Sequence, residues 1–346
     1  MITRMKRRIS LTLFLTWWLS IFTHAQIKPI YNISGPEVAS LGQYGTIPVG
    51  HFTGVPDISI PLYTAQVGNY ELPISINYHL AANKPTTAPG ILGSGWSLAA
   101  GGYIARSVRG ICNESMDKDA IGHGYYDHAN EINNLSVTTF PQYMDLYVKP
   151  YETLDKDWYE VAADEFCFNF CGYSGTFYYK GNGEWAVISD QDIKVEFNPS
   201  SDFLSLNDVG KRIPITRWSR TNENQRFFGR FTLVTPDGCR YEFGGINAME
   251  FSIPYYARNS NDLVASTWML ARVTTPEQRN ITFTYDTTPV MANIKYVPQY
   301  SEMYTGDSGN KGIFVQKGRK GFTGFLLYPV NLQSISTPNE VFTLDY

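Results

Sequence analysis

Phe231–Gly245 reads FTLVTPDGCRYEFGG, Leu270–Asp286 reads LARVTTPEQRNITFTYD, and Leu332–Tyr346 reads LQSISTPNEVFTLDY. Each stretch joins a short apolar run ending in Thr-Pro to a polar turn, then to an alternating aromatic strand. The pattern is one β-hairpin written three times. Such a unit cannot bury its own apolar face, so copies must pack on neighbours, which predicts a stacked or coiled β-structure. The third copy reaches Tyr346, and a sheet broken there would expose unpaired backbone and favour self-association.

Working outward, the composition agrees with an all-β class. Aromatics make up 15% of the chain (24 Tyr, 20 Phe, 7 Trp), charged residues only 17%, and 29 Gly with 19 Pro supply turns. The expected architecture is an extended antiparallel meander of hairpins, sandwich-like or shell-like, carrying one long irregular insertion. No helical periodicity of useful length follows residue 26.

Residues 1–25 read as a Sec-type signal peptide. Arg4, Lys6, Arg7 and Arg8 form a basic start, Ile9–Phe22 is apolar, and Ala25 is small enough for cleavage before Gln26. The apolar run is shorter than the ~20 residues of a spanning helix, so no membrane span is expected after cleavage. The destination is the periplasm, the cell surface or the medium. Removing these four positive charges takes the formal net charge from −4 to −8. A mildly acidic chain without a Lys/Arg cluster argues against nucleic acid as a partner.

Residues 26–112 form an N-terminal β-region. Ile58, Ile60 and Leu62 are expected to point inward, Gly68-Asn69 to turn, and Leu72, Ile74, Ile76 and Tyr78 to return. The segment GSGWSLAAGG follows, where Gly93, Gly95, Gly101 and Gly102 around Trp96 imply positive φ or close backbone approach. Residues 113–160 read as an irregular insertion loop with room for one short helical turn. Residues 161–346 resume as a β-meander: Glu165–Phe170, Thr176–Lys180, Glu184–Ser189 and Ile193–Phe197, then the three Thr-Pro hairpins. A Gly/Lys-rich interval between Ser301 and Thr323 is expected to be mobile.

The chain holds four cysteines, too few for a disulfide framework. On a strand, Cys167 and Cys171 share a face about 13 Å apart and cannot bond each other. Both read as small apolar residues in a sheet, and a cross-link through Cys112 or Cys239 stays open. Catalytic patterns are weak. His123 and His128 flank Asp127 at a spacing that zinc could use, but a solvated loop explains them as well. Glu114, Asp117 and Asp119 suggest a calcium loop without its closing Glu. Asp155 and Asp157 imitate a glycosidase pair without a cleft. No cofactor is expected. Trp158 and Tyr159, in the polar stretch LDKDWYEV, are the aromatics least explained by packing, and they are the candidate glycan contacts.

The stretch SLGQYGTIPVGHFTGVPDISIPLYTAQVGNYELPISINYHLAANKPTTAPGILGSGWSLAAGGYIARSVRG, above all LPISINYH, GSGWSLAAGG and IARSVRG, resembles the N-terminal region of exported Rhs/YD-repeat proteins of Bacteroidetes-type bacteria. The later DEFCFNFCGYSGTFYYKGNGEW, FTLVTPDGCRYEFGG and ITFTYD resemble strands that follow in the same proteins. A related element marks the N-terminal regions of toxin-complex and Salmonella plasmid-virulence proteins. The resemblance spans roughly residues 35–346. It implies a secreted or surface β-protein whose repeats spiral into a hollow shell, often around a C-terminal toxin. Tandem YD-repeats are missing here, leaving Tyr285-Asp286 and the reversed Asp345-Tyr346. The chain is therefore expected to be the N-terminal piece of such an assembly, not an enzyme, with a downstream shell segment or a second sheet edge as partner. A carbohydrate-binding β-module is the alternative.

Overall fold

The computed structural model describes Pro56 and residues 58–80, 89–116, 120–134, 159–213, 225–255, 263–304 and 313–345, without the side chains of 254–255, 297–304 and 313–323. The chain divides into two compact units, Met1–Ile58 and Ser59–Tyr346, and only Pro56 and Ile58 of the first are described. The signal peptide, Trp158, Trp218 and the carboxylates Asp117, Asp119, Asp155 and Asp157 all lie outside the described residues.

The class is all-β, as expected. A small sheet holds β1 (Ile58–Val67), β2 (Tyr70–Tyr78) and β3 (Trp96–Ala99) in that order. The remaining strands are β4 (Gly102–Ser107), β5 (Glu165–Phe170), β6 (Tyr173–Gly181), β7 (Glu184–Ile188), β8 (Lys194–Glu196), β9 (Phe203–Ser205), β10 (Arg226–Phe228), β11 (Arg230–Val234), β12 (Arg240–Gly244), β13 (Met249–Tyr255), β14 (Val264–Thr274), β15 (Asn280–Asp286), β16 (Met291–Tyr304), β17 (Ile313–Tyr328), β18 (Asn331–Ser336) and β19 (Val341–Thr343). Of these, β9 and β10 pair with each other and the rest form one antiparallel sheet.

That large sheet folds over along β14. Thr267–Met269 pair with β4, and the same half of β14 pairs with β13; Arg272–Thr274 pair with β12 and β15. One leaf therefore runs β16-β17-β13-β14-β4-β5-β6-β7 and the other β8-β11-β12-β14-β15-β18-β19. Register shifts opposite Glu242/Phe243 and Glu250/Phe251 leave Ala271 and Ser266 of β14 unpaired in those ladders. Such bulges increase local twist and bend a sheet, and these two sit where the leaves diverge.

The leaves meet through aromatic rings. Phe166 and Phe177 approach Phe231 at 5.2 and 5.4 Å between centroids, and Phe170 lies 4.7 Å from Tyr241 and 5.2 Å from Phe243. Alternation in DEFCFNFC places Phe166, Phe168 and Phe170 inward, as a strand must. Each fully buried ring stabilises by about 1.5–3 kcal/mol relative to exposure. Trp268 is fully buried beside it, and its indole N–H donates to the Phe228 carbonyl at 2.7 Å.

Several expectations fail for physical reasons. Ile60 and Leu62 are exposed, whereas Ala65, Val67, Leu72 and Ile74 are buried. The two-residue turn at Gly68-Asn69 sets Val67 opposite Tyr70, so even-numbered residues of β2 share a face with odd-numbered residues of β1. Next to the turn this puts Ala65 and Val67 on the same buried face as Leu72 and Ile74. The meander holds for β5, β6 and β7, but β8 leaves it to pair with β11. The interval expected to be mobile is mostly strand, because β16 reaches Tyr304 and β17 starts at Ile313; residues 305–312 lie outside the description.

The expected insertion loop contains α1 (Tyr125–Asn133), and Leu206–Gly210 forms α2. Nine residues are too few for a helix stable by itself. Packing supplies the missing energy: Tyr125 and Ala129 are buried, and the Tyr126 ring lies 4.4 Å from Tyr179 on β6. The start of the same insertion, Asn113 and Glu114, is fully buried. Strand β4, near the end of the expected N-terminal β-region, is a central strand of the large sheet, paired with β5 and β14.

Candidate functional site

The three Thr-Pro hairpins stand side by side in one leaf, in sequence order. Pair β11–β12 is joined by Thr235–Cys239, pair β14–β15 by Thr275–Arg279, and pair β18–β19 by Thr337–Glu340. In the first two turns the threonine N–H donates to the carbonyl four residues on (3.1 and 2.9 Å), while its own carbonyl accepts the N–H three residues on (both 2.9 Å). The third turn is one residue shorter, with the Thr337 N–H donating to the Glu340 carbonyl at 2.9 Å. Proline suits the position after each threonine because its φ is preset and no donor is needed there. Successive hairpins are then stitched by β12–β14 and β15–β18. Among the described residues, β19 pairs only with β18, and its Phe342 ring lies 4.5 Å from Tyr63 of β1.

The GSGWSLAAGG segment carries the chain from the small sheet into the large one. Gly93, Gly95 and Gly101 have φ of +101°, +80° and +113°, as their predicted role requires. Gly102 is demanded by contact instead: a Cβ there would overlap Phe170 and the Asn169 carbonyl across the β4–β5 ladder. Trp96 is half-buried and lies 5.2 Å from the Tyr78 ring, its partner across β2–β3. These five residues form a structural crossover. Beside it opens a cleft of about 580 Å³ bounded by β3, the Gly101-Gly102 backbone and the outer surface of β4 and β5.

The other sequence candidates find structural partners. Tyr159 is buried, and its ring stacks on His128 at 3.9 Å with planes 5° apart, so no ring face is free for a sugar. Burial and the neighbouring Glu131 push its phenol up to about 12. His128 also contacts the Gly122 carbonyl at 3.0 Å, and Asp127 pairs with Arg226 at 2.6 Å. Among the described residues, no group of three or more His, Cys, Asp and Glu could hold a metal ion. All four cysteines are free thiols. Cys167 is exposed on β5, while Cys171 lies past the strand at φ +45° and accepts from the Tyr70 hydroxyl at 3.4 Å.

The sequence reading missed a buried charge cluster. Arg106 on β4 binds Glu114 through both terminal nitrogens (2.9 and 2.5 Å) and Asp164 through Nε and one terminal nitrogen (2.9 and 2.5 Å), with all three side chains fully buried. Asp164 also accepts the N–H groups of Arg109 (2.8 Å) and Asn113 (2.9 Å). Burial drives its carboxyl above the usual range, and the arginine and the two amides pull it back. The cluster fastens the insertion to the sandwich. The sequence signal was an arginine two residues after Ile104, the buried residue of a short strand.

No helix among the described residues is long and apolar enough to cross a membrane. No family model matches the chain, and a search of curated proteins finds no similar one.

Proposed function

We propose that this chain is the exported, non-enzymatic leader module of a YD-repeat-type β-shell, on which further hairpins assemble at the outer edge of β19. The observation that carries this reading is the lateral stack of three Thr-Pro hairpins, each joined to the next by the same antiparallel pairing. A sheet built by one repeated addition accepts another unit at low cost, because the exposed N–H and C=O groups of an edge strand are a template for pairing. The resemblance of residues 35–346 to Rhs/YD-repeat proteins supports the same role. The test is a fusion that appends a copy of Leu270–Asp286 after Tyr346. Slower amide exchange at Val341–Thr343 is the expected result, and unchanged exchange there overturns the proposal.

A further inference from the structure

The cleft beside the glycine crossover contains no Asp, Glu, Lys, Arg or His in its lining. Its polar side chains, among them Asn77, Asn169, Asn331, Ser75 and Ser97, are uncharged types. Asn169 and Asn331 have no side-chain partner among the described residues. The Asn77 Oδ1 accepts from Ser59 (2.7 Å) and Ser75 (3.1 Å), which leaves its amide N–H₂ free. Tyr103, 43% exposed, stands next to Asn169 across the β4–β5 ladder. Gly101 and Gly102 leave the adjoining backbone bare of side chains.

We propose that this cleft binds a neutral saccharide. A charged ligand would meet no counter-charge there. A purely apolar one would leave the carboxamides of Asn169 and Asn331 and the amide N–H₂ of Asn77 without hydrogen bonds, at a cost of about 1–3 kcal/mol each. A β-strand peptide would find only Ser97–Ala99 of β3 along the wall, too short for a stable ladder. Planar amides that each offer two donors and an acceptor suit vicinal hydroxyls, and an exposed phenol ring suits a sugar face. The cleft volume lies in the range of small-ligand sites. This site lies apart from Tyr159, whose ring is already stacked on His128, and is independent of the shell reading.

Isothermal titration of the intact chain with maltotriose, cellotriose and N,N′,N″-triacetylchitotriose, against sialyllactose as a charged control, tests the proposal. We expect one neutral trisaccharide to bind and sialyllactose not to. Asn169→Ala and Tyr103→Ala, neither of which removes a buried contact, should each weaken binding at least tenfold while leaving the thermal midpoint unchanged. Absence of heat with every neutral sugar, preference for the charged one, or binding that survives the double variant would each overturn it.

Discussion

Arg106 illustrates how far one side chain reaches. Its guanidinium joins β4 to Glu114 and Asp164, fifty residues apart in sequence, with all three side chains fully buried. Replacing Arg106 with Met leaves two buried anions unpaired, which should cost about 3–5 kcal/mol in urea unfolding. The triple variant R106M/E114Q/D164N should recover a substantial part of that loss, whereas equal instability of both would argue against charge as the cause. Among the thiols, burial and the adjacent Asp237 push Cys239 up to about 12. A raised value keeps the thiol protonated, so roughly one part in ten thousand is thiolate at pH 8. Native iodoacetamide labelling at pH 8 should therefore modify exposed Cys167 first and spare Cys239; mass spectrometry of tryptic peptides reads the order.

At the scale of the element, the hairpin turns differ at one informative position. Gly238 in the first turn has φ +81°, and Gln278 at the equivalent place in the second has φ +61°. A residue with a Cβ pays about 1 kcal/mol in this left-handed region. Gln278→Gly should thus stabilise the protein by about that amount, and Gly238→Gln should destabilise it similarly, both read from thermal melts. No change in either would mean that the turn relaxes out of its left-handed geometry. The hairpins were legible in sequence because Thr-Pro, a polar turn and alternating aromatics are local signals. Helix α1 was not, because its nine residues owe their shape to Tyr179 and the aromatic seam rather than to their own propensity.

At the scale of the whole molecule, sheet edges govern behaviour. The long strand β16 is one margin of its leaf, and around it Val290, Met291, Ile294, Tyr296 and Phe325 are exposed. Long apolar edges pair with other chains unless charge blocks them. The isolated protein should therefore elute from size-exclusion chromatography as oligomers, and Ile294→Lys with Tyr296→Lys should shift it to monomer. A wild-type protein that runs as a clean monomer would show that this edge is protected.

The sequence by itself determined the all-β class, the three repeated hairpins, the strand Glu165–Phe170, and the backbone roles of Gly93, Gly95, Gly101 and Gly102. Each of these rests on steric preference or alternation within a few residues. Only the tertiary structure decided which face of β1 is buried, that β14 serves two leaves, that Asn113 and Glu114 lie in the interior, and that Asn77, Asn169 and Asn331 line one cleft. Those outcomes depend on what packs opposite, and a strand's own residues cannot specify a partner brought from a hundred positions away.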